Sequence, residues 1–138
     1  MFKHLLLATD GSAHAESAVK TGVQLASSLH AKVTGLTVTA PGETHEPERK
    51  TAYPRSHVIT HAHLRFVQIV ANTHDVRCDT LCVTGEAPHE EIIRTADRLR
   101  CDLIVMGAFG HKGIKAMLLG SETQKVLIHG HLPVLVCK

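Results

Sequence analysis

Five short apolar runs recur along the chain, and in the stretches between them apolar positions return every three or four residues. "HLLLAT" (4–9) stops at Asp-Gly-Ser and "KVTGLTV" (32–38) is rich in β-branched residues, so both read as strands. Between them Ala18, Gly22, Leu25, Ala26 and Leu29 fall at helical spacing, and Ser12 is placed to cap a helix running to about His30. A strand, a helix and a second strand predict a right-handed crossover and a parallel pair.

Residues 40–54, "APGETHEPERKTAYP", hold Pro, Gly and Glu without periodicity and read as a mobile surface loop within one domain. Ile59, Ala62, Phe66, Ile69, Val70 and Thr73 then mark one face of a second helix, before a third strand "RCDTLCV" at 77–83. A third helix follows, with Pro88 in its first turn, acids behind it, and Ile92, Ile93, Ala96 and Leu99 facing inward. "CDLIVM" (101–106) is the fourth strand and "LPVLVC" (132–137) the fifth. In the last helix Ser121 and Gln124 have the S-x-x-Q spacing of a capping box, and Gly130 and Pro133 mark its far end. Strands alternating with helices predict a single doubly wound α/β domain over residues 1–138. Its chemistry belongs at the carboxyl ends of the strands, near Asp10, Val38 and Gly107.

Composition narrows the function classes. A length of 138 residues suits one shared core, and a net charge of +2 supplies no general field for nucleic acid or membranes. Aromatic residues at 3% leave no stacking platform, so no nucleic acid partner is expected. No run approaches the roughly 18 apolar residues of a membrane span, and "MFKHLLLATDGS" is too short and too soon broken for a secretory signal. A cytoplasmic protein without membrane contact is the expectation. Cys78, Cys82, Cys101 and Cys137 lack the pair spacing of a zinc site and read as reduced, mostly buried thiols. Cys78 and Cys82 share a strand face, roughly 13 Å apart and beyond disulfide reach. The twelve histidines include "HAHL", "HGH" and the helical pair His57/His61, but no cysteine or carboxylate completes a ligand set, so they read as surface residues and no bound metal is expected there.

Candidate chemistry concentrates in "MGAFGHKGIKAMLLGS" (106–121), directly after the fourth strand. A helix starting at Ser121 offers unpaired N–H groups and a partial positive charge to phosphate oxygens, and Gly120 lets them come close. Gly107 and Gly110 let the loop fold beneath the same group, while Lys112 and Lys115, beside His111, add local positive charge. Neither a P-loop nor a G-x-G-x-x-G fingerprint is present. The spacing is G-x2-G, nine residues, then G-S.

With "LLLATDGS" near the start, "GEAPHEEIIRTADRLRCDLIVMG" and the closing "PVLVC", that motif makes the whole chain resemble the universal stress protein family in its nucleotide-binding branch. The resemblance implies a five-stranded parallel sheet of order 3-2-1-4-5 and ATP, or the related ADP or AMP, as ligand. It also implies a stress-response regulator that dimerises through its last strand, here 132–137, and acts on an unidentified protein partner. Carried over residue by residue, Asp10 contacts the ribose or adenine end, Thr9 and Val38 line the base pocket, Met106 and Gly107 meet base and ribose, and Gly110, Gly120 and Ser121 meet the phosphates. Glu122 departs from the small or apolar residue that relatives commonly carry. A carboxylate there suits the helix dipole but repels phosphate unless Mg2+ or Mn2+ bridges the two, so cation-dependent binding is the expectation.

Two other readings use the same residues. One is a slow ATPase or phosphotransferase with His111 or Glu122 orienting a water, although no Ser-His-Asp set, acid-base pair or P-loop lysine is present. The other is a dimeric interaction module that binds no nucleotide. A phospho-receiver domain, by contrast, needs an acceptor Asp after the third strand, where this chain has "CVTGEAP".

Overall fold

Strand β1 (His4–Ala8) is buried at all five positions because it is the middle of the sheet and is covered on both faces. The computed structural model describes residues 1–42, 55–110 and 119–138, with backbone alone for 55–60. The greater part of the 40–54 loop, His111, Lys112, Lys115 and the side chain of His57 therefore lie outside the described residues. After β1 come α1 (Ala13–Leu29), β2 (Lys32–Thr39), α2 (Arg55–Thr73), β3 (Cys78–Thr84), α3 (Pro88–Arg98), β4 (Leu103–Gly107), α4 (Ser121–His129) and β5 (Val134–Cys137). All pairings are parallel and the strand order is β3-β2-β1-β4-β5, the order the family resemblance implies.

Successive side chains of β1 point to opposite faces and divide the core in two. Leu5 and Leu7 join Ala18, Val19, Val23 and Ala26 of α1 and Val67 and Ala71 of α2. Leu6 and Ala8 join Ile92 and Ala96 of α3 and Val126 of α4. Ser12 caps α1 by accepting a hydrogen bond from Ala15 N at 3.3 Å, and Pro88 opens α3. At the bottom of the sheet the Asp102 carboxylate accepts from the backbone N–H of Lys3 at 2.8 Å and of His4 at 3.0 Å. The buried His4 ring places Nε2 2.8 Å from Thr34 Oγ1 on the neighbouring strand. Burial, then Lys32, pulls that imidazole below its ordinary value.

Two expectations are corrected. The inward stripe of α2 is Leu64, Val67 and Ala71, with Phe66 and Val70 flanking it; Ala62 and Thr73 are exposed, as is Ile69 at 54%. Gly35 on β2 makes room for that stripe: a Cβ there would lie 2.9 Å from Val67 Cγ1. Cys82 is exposed, because β3 is an edge strand, whereas Cys101 and Cys137 are buried and Cys78 half-buried. Burial pushes the Cys78 and Cys101 thiols up to about 11.

Candidate functional site

Parallel strands send their connections out at one edge, and the order of this sheet reverses between β1 and β4. A cleft of about 700 Å³ opens there, above the carboxyl ends of β1, β2 and β4. Thr9, Asp10, Val38, Met106, Gly107, Gly110, Gly120, Ser121 and Glu122 all line it; His111 lies outside the described residues.

Each side of the cleft has its own local cause. Thr9 is fixed where β1 ends: its N–H donates to Leu36 O at 2.9 Å, its carbonyl accepts from Thr37 Oγ1 at 2.9 Å, and its hydroxyl accepts from Gly11 N at 3.1 Å. Gly11 has φ +77°, a conformation glycine adopts without strain, and it turns the chain toward α1. Asp10 accepts from Ser12 N at 3.0 Å through Oδ1 and lies at the exposed mouth. A Cβ on Gly110 would lie 2.7 Å from Asp10 Oδ2, so carboxylate and loop backbone meet across the opening. Val38 forms a half-buried apolar wall, and the buried Met106 the floor.

The base of the glycine loop is tied together. Gly120 N donates to Ala108 O at 2.7 Å, Ala108 N to Cys137 O at 2.7 Å, and the buried Thr123 Oγ1 to Gly107 O at 2.9 Å. A Cβ on Gly107 would lie 2.9 Å from His14 C, and one on Gly120 3.2 Å from Ala108 O, so both glycines permit backbone to pack on backbone. Bare backbone at Gly107, Gly110 and Gly120 beside an apolar wall suits a ligand with a flat apolar part and an anionic tail.

The capping box does not form. Gly120 is the N-cap of α4, Ser121 is its first residue and exposed, and Gln124 sends Nε2 to Leu119 O at 2.8 Å. With no side chain on the first turn's donors, the N–H groups of Ser121 and its neighbours keep the capacity that helix starts have for anions.

Glu122 is held sideways. Its Oε2 accepts from the backbone N–H of His89 at 2.8 Å and lies 3.2 Å from His89 Nδ1, while Lys125 Nζ donates to Oε1 at 3.3 Å. Ala87, the N-cap of α3, makes no side-chain cap bond, so Glu122 supplies from α4 the acceptor that α3 lacks. Burial alone pushes this carboxyl up; the His89 amide, with Lys125 and the His89 ring, more than offsets it and holds the pKa below the ordinary carboxylate value.

Pro88, Ile92 and Glu86, also in the lining, were not legible as site residues, because each reads locally as helix or turn. Phe109 lay inside the quoted motif, where its value as an apolar residue among glycines was the available signal; its ring packs edge-on against His14 at 5.3 Å between centroids. Among the described residues no three His, Cys, Asp or Glu side chains stand close enough to hold a metal ion, and no helix is long and apolar enough to cross a membrane.

Comparison with known proteins places the architecture in context. The family model described as "Universal stress protein family" matches residues 1–138. A universal stress protein of Thermus aquaticus is 34% identical over 142 aligned positions, covering 100% of both chains. Among solved structures, the protein MJ0577 of Methanocaldococcus jannaschii superposes with a TM-score of 0.82 at 28% identity, over 100% of this chain and 96% of that one. A universal stress protein in complex with cAMP has a TM-score of 0.79 at 24% identity, over 99% and 97% of the two chains, which speaks for a shared fold.

Proposed function

The chain belongs to the universal stress protein family, and we propose that it is a cytoplasmic adenine-nucleotide-binding regulator whose ligand occupies the cleft at the β1/β4 switch point. The observation that carries this reading is the meeting of three bare glycine backbones with the open first turn of α4. Val38 and Met106 offer an apolar slot for the base. Asp10, exposed at the mouth, is an acceptor for ribose hydroxyls. Gly110 and Gly120 put no side chain in the way of the phosphates, and Ser121 offers its N–H at the open first turn of α4. A cAMP complex on the same fold supports an adenine ligand.

ATP, ADP and AMP all fit this chemistry; for the triphosphate, Mg2+ or Mn2+ offsets the charge of Glu122. The regulator works as a dimer in this reading. β5 is hydrogen-bonded to β4 on one side only, and its half-buried Val134, Leu135 and Val136 make an apolar edge that a second copy can cover.

The test is denaturing extraction of nucleotide from purified protein, followed by calorimetric titration with ATP, ADP and AMP, with and without Mg2+. Co-purified or titratable adenine nucleotide is the expected result. Absence of binding by all three under both conditions would reject the reading and leave a dimeric interaction module.

A further inference from the structure

The charged groups among the described residues that line the cleft are all acidic. Asp10, Glu86 and Glu122 line it, and among the described lining residues there is no Lys, Arg or His. Of the three, Glu122 stands within the first turn of α4, beside Gly120 and Ser121, and its carboxylate cannot leave without uncapping α3. The negative charge is therefore a fixed part of the phosphate end of the cleft. We propose that Glu122 sets the phosphate count of the ligand, so that without a divalent cation the cleft takes an adenosine monophosphate in preference to a triphosphate. The inference rests on the nucleotide reading above and adds the class of nucleotide to it.

The physical argument is one of increments. The base and ribose are common to both ligands and meet the same Val38, Met106 and Asp10. The triphosphate adds negative charge at the end where Glu122 is held, and that added charge is what the carboxylate repels. Lys125, on the solvent side of Glu122 with its ammonium 3.3 Å from Oε1, partly neutralises the carboxylate without lining the cleft. Removing the carboxylate and removing the lysine therefore shift selectivity in opposite directions.

The experiment is titration of the full chain with AMP and ATP in EDTA, comparing wild type with Glu122→Gln and Lys125→Gln. The glutamine carbonyl of the first variant still accepts from His89 N–H, so α3 keeps its cap; Lys125 is exposed, so the second variant leaves the fold alone. Wild type is expected to hold AMP about tenfold more tightly than ATP, the scale of a few extra unit charges partly screened near a surface. Glu122→Gln should narrow that ratio, Lys125→Gln should widen it, and added Mg2+ should narrow it in wild type. A ratio unmoved by both variants, or tighter ATP than AMP in wild-type protein in EDTA, overturns the inference while leaving the nucleotide reading intact. Failure of every protein to bind either nucleotide, with or without Mg2+, overturns both.

Discussion

The carboxylate of Glu122 accepts a hydrogen bond at 2.8 Å from the backbone N–H of His89, joining the first turns of two helices 33 residues apart in sequence. The bond gives α3 the acceptor missing at Ala87 and fixes a charged residue that lines the cleft. Replacing Glu122 with Ala should lower stability by about 1 kcal/mol, the usual cost of a lost cap, and Glu122→Gln by much less. Denaturant unfolding of both variants checks this. Because the folded pKa is depressed, the contribution is present above the ordinary carboxylate range and lost as pH falls through the folded value. Equal loss in both variants would show that charge, not the acceptor atom, is what matters.

Gly120→Val should nearly abolish nucleotide binding. Its added side chain starts 3.2 Å from Ala108 O and 3.3 Å from Phe109 Cα, so the loop base must also shift, at a cost of about 1–3 kcal/mol. Parallel thermal unfolding and titration separate the two effects. Affinity matching wild type in a folded variant would place the phosphates elsewhere.

Burial, then Lys32, lowers the pKa of the His4 imidazole, so the folded state binds fewer protons than the unfolded chain as pH falls below the ordinary histidine value of 6.5. This contribution to stability is full above that value and declines as pH falls toward the depressed one. Melting temperatures between pH 8 and 5 should fall on the acid side, and less steeply in His4→Gln. Parallel slopes for the two proteins would assign the acid sensitivity to other groups.

Cysteine reactivity should be uneven. Cys82 is exposed, whereas Cys78 and Cys101, with thiols at about 11, carry roughly a thousandth of their population as thiolate at pH 8. Iodoacetamide at that pH, followed by peptide mass analysis, should modify Cys82 first and the other two only as the protein opens. Early labelling of Cys101 would contradict its burial.

Val136→Asp places a charge on the apolar edge strand, opposite Met106 in the β4 ladder. Sedimentation velocity should show a wild-type dimer and a largely monomeric variant. A monomeric wild type would remove β5 pairing from the proposed function.

The strands were legible because each is an apolar run closed by turn residues, and the capping of α1 because Ser12 acts on a residue three positions away. What escaped depends on contacts between distant segments. The α2 face is ambiguous in the sequence because Ile69 and Val70 are equally apolar, and the room that Gly35 leaves for Val67 lies on another strand. The capping box failed because Gly120 took the N-cap position and left Ser121 outside it. Cys82 looked buried because local sequence does not reveal that the third strand is an edge. The cleft residues carried by the motif were found from their order along the chain; Pro88 and Ile92 reach it only because α3 packs against α4.

Borrowing a helix cap from Glu122 also bears on the order of synthesis. As the chain emerges from its N-terminus, α3 is complete well before the residue that caps it exists, and fragments ending before 121 carry an unsealed helix end. The closing of α3 thus waits for α4, which ties one edge of the cleft to a segment synthesised later.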